Sequence, residues 1–171
     1  MNRLLEALSG GDLRSLGNAN AIVREVRSRK QFDQLFEGLF HPDRVIVMRA
    51  ADAIEKITWK KQRYLLPHKQ SLLGLLRTAT NKELKWHLAL LVPRLQLTRL
   101  ELGRVWATLS DWALDTNESR IVRVNSVQAL FDLLKHSPGL GGDFELTLAQ
   151  LEREAVPSIS ARIRKLRAAR G

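Results

Sequence analysis

The 171-residue sequence contains no cysteine, which excludes disulfides, thiolate catalysis and cysteine-ligated zinc. No apolar run approaches the ~18 residues that a membrane span requires. The first residues, Met1-Asn2-Arg3-Leu4-Leu5-Glu6, reach an acid at once. No secretory signal is expected there, and the chain reads as a soluble, cytoplasmic protein. Strand signals are also poor. There is no Asn-Gly or Asp-Gly hairpin turn and no sustained period-two alternation.

The usual marks of a catalytic centre are missing too. The four histidines, His41, His68, His87 and His136, include no pair at i+3 or i+4. No metal site is therefore expected. Gly141-Gly142 lacks the Lys-Ser/Thr of a phosphate-binding loop and reads as a flexible connection. No serine has a recognisable nucleophile context. The chain is expected to have neither a cofactor nor catalysis of its own.

What is present is globular in composition, 44% hydrophobic and 27% charged. The length suits one domain or one continuous stack of repeats. Leucine is the commonest residue, with 31 copies. Apolar and small residues recur with helical spacing, as in Ile46, Ala50, Ala53, Ile54 and Ile57. The same pattern returns in Leu84, Leu88, Leu91, Val92 and Leu95, and in Val122, Ser126, Ala129, Leu130 and Leu133. Each set paints one face of an amphipathic helix.

These faces repeat. Ala53, Leu91, Ala129 and Leu166 stand 38, 38 and 37 residues apart, and Ala21 extends the series backwards. A second series, Leu8, Leu39, Leu76, Leu114 and Leu151, precedes each anchor by 13 to 15 residues. The unit is thus helix A, a turn and helix B, about 37 residues long. Helix A is expected at 2–9, 30–40, 68–79, 102–114 and 143–155. Helix B is expected at 17–28, 43–58, 81–97, 118–136 and 157–169. The whole of 1–171 then forms a single repeat domain with units near 1–29, 30–66, 67–100, 101–140 and 141–171. Pro42-Asp43, Thr80-Asn81, Thr116-Asn117-Glu118 and Pro157 suit starts of B helices. Pro93 falls inside one and should kink or shorten it.

Residues 115–133, with Asp115, the Val122-Arg123 pair, Ser126, Ala129-Leu130 and Leu133, resemble the HEAT-repeat consensus. Leu84-Lys85 occupies the Val-Arg slot of the preceding unit. Ile46-Val47 and Ile159-Ser160 occupy it without the basic residue, and Arg14 and Asn18 fit the first unit poorly. The resemblance implies an all-α, right-handed α-α superhelix, a HEAT-like solenoid of about five helix pairs. It also implies that B helices line the concave surface. The slot residue would serve either that surface or packing against the Asp-rich turn.

The formal charge of +10 is unevenly spread. Residues 1–58 carry +1, 59–100 carry +8, 101–155 carry −4 and 156–171 carry +5. The middle zone interleaves aromatics with cations, beginning at Trp59-Lys60-Lys61-Gln62-Arg63-Tyr64. Candidate binding residues are Lys60, Lys61, Arg63, Lys82, Lys85, Trp86, Arg120, Arg123 and Arg162. The terminal cations, including Arg164, Lys165, Arg167 and Arg170, also fit a polar cap. Two readings follow. One is a protein–protein scaffold whose partner has an acidic surface. The other is nucleic-acid binding through 59–100 and 156–171. Trp106, Asp111 and Trp112 are similar in kind to the lesion-holding residues of HEAT-like alkylpurine DNA glycosylases. Trp106 with Leu109 and Ala113 equally fits a core stripe, with Asp111 and Asp115 on a solvated face. The core reading is favoured, and with it the non-catalytic scaffold.

Overall fold

The computed structural model describes residues 3–10 and 19–169. Arg14, Asn18 and Arg170 lie outside the described residues, as do the first residues of the helices expected at 2–9 and 17–28. Among the described residues there are ten α-helices and no strand. None of these helices is long and apolar enough to cross a membrane. The chain divides into two compact units, Met1–Gln70 and Ser71–Gly171.

In the first unit, α1 (Arg3–Glu6) and α2 (Ala19–Glu25) precede α3 (Arg29–Phe36) and α4 (Arg44–Thr58). α3 starts at Ser28, whose hydroxyl accepts from the Gln31 amide while Gln31 reaches back, a reciprocal cap. It tightens into the 3-10 turn Glu37–Phe40. α4 starts at Asp43, whose carboxylate accepts from the Val45 amide at 2.8 Å. This helix is buried on most sides because α2, α3 and the 3-10 turn all pack on it. Gly38 permits the closest of these approaches. A Cβ there would stand 2.8 Å from the Ala50 Cβ and 2.8 Å from a Leu5 methyl. A second 3-10 segment, Gln62–His68, follows α4 and is pinned by fully buried Leu65.

The second unit holds α6 (Lys82–Leu91), α7 (Arg99–Leu114), α8 (Arg120–Leu133), α9 (Gly141–Arg153) and α10 (Pro157–Ala168). α5 (Lys69–Thr78) runs across the boundary between the units. α8 lies between α6 and α10, and α7 packs on both α8 and α9. The B helices α6, α8 and α10 therefore form one layer, and the A helices α7 and α9 form another. Leu91, Ala129 and Leu166 are all buried, as the 37–38-residue spacing requires.

Three local expectations are corrected. Ala21 is exposed and Ile22 is buried, so the inward face of α2 falls one residue later. Leu114 is only half-buried, unlike Leu8, Leu39, Leu76 and Leu151. α8 begins at Arg120, because Ser119 supplies the cap and accepts from the Val122 amide at 3.4 Å, while 115–118 fold as a turn. Pro93 shortens its helix as expected: α6 stops at Leu91 and the chain tightens into a 3-10 turn, Val92–Arg94.

Candidate functional site

Eight of the nine candidate residues fall into three structural groups, and Trp86 stands apart. Lys85, Arg123 and Arg162, on α6, α8 and α10, spend their head groups on neighbouring repeats. Arg123 is 4% exposed. Its Nε donates to the Ala113 carbonyl at 2.8 Å, and its guanidinium donates to Glu154 at 2.6 Å. Lys85 pairs with Glu118, and its ammonium sits 5.3 Å above the centre of the Trp112 ring. Arg162 donates to the Gln128 side chain at 2.6 Å.

These contacts have a common logic. Lys85 and Arg123 fill the same slot 38 residues apart. Each binds a carboxylate in the A–B turn of the following unit, Glu118 or Glu154. The acceptor is a glutamate rather than the turn's aspartate. Asp115 instead takes the Asn117 amide at 2.9 Å and shapes the turn. Arg123, buried, and Lys85, half-buried, are both paired and hold repeats together.

Lys82 and Arg120 behave differently. Each is the first residue of a B helix, α6 or α8, again 38 residues apart, and both are exposed. Neither forms an ion pair among the described residues. Helix dipoles disfavour cations at that end by about 0.3–1 kcal/mol, so helix stability does not account for them. Arg44 opens α4 at the same spacing. Trp86 is half-buried, its ring tilted 55° against His87 at 5.5 Å.

Lys60, Lys61 and Arg63 follow the end of α4 and line, with Trp59, Gln62 and Tyr64, an open groove of about 520 Å³. Lys60 and Arg63 are exposed. Lys61 lies 5.2 Å from the centre of the Tyr64 ring, and Arg29 approaches the same ring at 5.6 Å. Beneath them, Asp33 accepts from Arg29 at 2.9 Å and pairs with His68 at 2.6 Å. Partial burial pushes the Asp33 carboxyl up. The hydrogen bonds from Arg29 and His68 outweigh that and hold it below the usual carboxylate value. The His68 ring stacks on Phe36 at 3.9 Å.

On α7, Trp106 and Trp112 are both buried with Leu109 and Ala113, whereas Asp111 and, just past the helix end, Asp115 are exposed. Neither indole offers a free face to a nucleobase. Among the described residues no three His, Asp or Glu side chains group as a metal ion would need.

The HEAT repeat domain model matches residues 6–169. The chain belongs to the HEAT repeat family. It is thus an all-α helical repeat scaffold, of a kind commonly used for protein interaction and generally without catalysis. No curated protein and no solved structure matches it significantly. Within this HEAT-repeat chain, two features escaped the sequence reading. The glutamate partners Glu118 and Glu154 were hidden among nine acids in residues 101–155. Their spacing of 36 residues, close to the repeat, was the available signal. In the sequence Trp59 stands out only as part of a mixed aromatic and basic segment, although it directly follows buried Ile57 and Thr58.

Proposed function

We propose that this HEAT-repeat chain is a non-catalytic scaffold that holds a protein partner of acidic surface along its B-helix starts, with the chain acting as one repeat domain. The observation that carries this reading is the placement of Lys82 and Arg120. They are exposed, lack an ion pair among the described residues, stand at equivalent positions on adjacent helices, and sit where the helix dipole opposes them. Such cations steer and fix an acidic partner through charge complementarity.

Protein is favoured over nucleic acid because the buried or paired cations Lys85 and Arg123 are withdrawn from the candidate phosphate contacts. Two of the four tryptophans, Trp106 and Trp112, are also closed to stacking.

The test is affinity capture from a nuclease-treated lysate at physiological salt, comparing wild type with the charge reversal Lys82→Glu/Arg120→Glu. One acidic protein should be retained by wild type and lost by the variant. Retention of nucleic acid alone from an untreated lysate, falling steeply with salt, contradicts the reading.

A further inference from the structure

Trp59 is 69% exposed, the most exposed aromatic ring outside the cores of the two units. Its position is fixed from below. The Trp59 amide closes α4 onto the Glu55 carbonyl at 3.2 Å, and the Lys60 and Lys61 amides both return to the Ile57 carbonyl. Thr58, fully buried, ties its hydroxyl to the Ile54 carbonyl at 2.8 Å. The 3-10 segment beyond is anchored by Leu65. The backbone that carries the indole is therefore held at a hydrogen-bonded corner, so a partner that docks there need not order the chain.

The segment that forms the corner is one-sided in charge. From Lys56 to Lys82 the chain carries no Asp or Glu. Lys60 and Arg63 are exposed and make no ion pair among the described residues. A large exposed indole beside two exposed cations, Lys60 and Arg63, that make no ion pair among the described residues has the make-up of an interface anchor, since Trp and Arg dominate binding energy where water is excluded.

We infer that the groove lined by Trp59, Lys60, Lys61, Gln62, Arg63 and Tyr64 is a docking site for an extended acidic peptide carrying one bulky apolar side chain. The apolar side chain covers the Trp59 face, and carboxylates on either side meet Lys60 and Arg63. The inference takes its partner class from the scaffold reading above but concerns a separate site. A single-stranded nucleic acid fits less well. Such strands lie on successive stacking platforms, and here the second ring is occupied: Tyr64 has Lys61 and Arg29 near its ring and Phe32 packed at 5.1 Å.

The probe is a fluorescein-labelled peptide with a central Phe flanked by four acidic residues on each side. It is titrated into the full chain by anisotropy at physiological salt, beside the same peptide with Ser for Phe and an oligothymidylate. The Phe peptide is expected to bind. Trp59→Ala and the Ser peptide should each weaken binding at least tenfold, and Lys60→Glu/Arg63→Glu should abolish it, with circular dichroism unchanged in both variants. Equal binding by wild type and Trp59→Ala, no binding of the Phe peptide by wild type, or tighter Trp59-dependent binding of oligothymidylate would each overturn the inference. If acidic-protein capture is lost in Lys82→Glu/Arg120→Glu while the Phe peptide binds wild type and Trp59→Ala equally, the scaffold reading stands and the Trp59 site falls. If capture of acidic protein fails in wild type while the Phe peptide still binds through Trp59, the reverse holds.

Discussion

The two units tie their repeats together by different means. In the second, one device recurs: the slot cation of a B helix crosses to a glutamate of the next repeat, as Lys85 does to Glu118 and Arg123 to Glu154. In the first, the slot holds Val47, and the work passes to Arg49 two residues on. Arg49 is 2% exposed and turns backward, donating to the carbonyls of Leu8, Ser9 and Gly10 at 2.8, 3.3 and 2.5 Å. Gly10 makes this possible with a φ of +76°, which favours glycine. Other ties of the first unit are irregular: Lys56 on α4 donates to Asn20 on α2 at 2.8 Å, and an aromatic cluster around Phe32, Phe36 and His68 joins the Arg29–Asp33–His68 network. A periodic frame thus tolerates aperiodic fastening. Charge on the repeat slot serves fastening where it is paired with the following repeat, as at Lys85 and Arg123.

The sharpest way to break this comparison is to cut the fastenings. Arg123→Ala should cost about 3–5 kcal/mol, because it strands Glu154 and a buried carbonyl, measured as a shift in urea midpoint. Arg49→Ala should cost about 1.5–3 kcal/mol, the worth of hydrogen bonds to a charged group. If both variants unfolded as wild type does, the distinction between fastening and binding cations would collapse. Gly38→Ala should cost about 1–3 kcal/mol by overpacking against Ala50 and Leu5, a test confined to the first unit.

A pH titration separates the units further. The folded Asp33 carboxyl lies below its usual value, so its contribution is complete above about pH 4, the unfolded value. It is lost as pH falls through the folded value. Wild type should therefore lose more stability than Asp33→Asn between pH 4 and pH 2, read from urea midpoints. The smallest effect is expected at Ala155, whose φ of 52° lies in the left-handed region between α9 and α10. Ala155→Gly should raise stability by about 0.5–1 kcal/mol, seen as a small rise in melting temperature.

The architecture was legible because helical period and repeat period agree over most of the chain. Helices expected at 43–58, 102–114 and 157–169 match α4, α7 and α10 within a few residues. Errors arose where a local cap decided the matter, as Ser119 did for α8, or where the face shifted, as at Ile22. The site was less legible because a lysine or arginine looks the same in sequence whether it is buried or free. Lys82 and Lys85 lie three residues apart on one helix. One is exposed at its first position, and the other bridges to Glu118. Only the fold, which brings the next unit's turn over Lys85, separates them.

The central claim is that slot cations fasten the repeats while exposed cations bind. The most direct test measures stability and acidic-peptide affinity on the same two variants, Arg123→Gln and Lys60→Glu/Arg63→Glu. Arg123→Gln should lower the urea midpoint and leave affinity of the folded protein within twofold of wild type. The double reversal should abolish binding and leave the midpoint unchanged. Loss of affinity in folded Arg123→Gln, with wild-type affinity in the double reversal, would contradict the account.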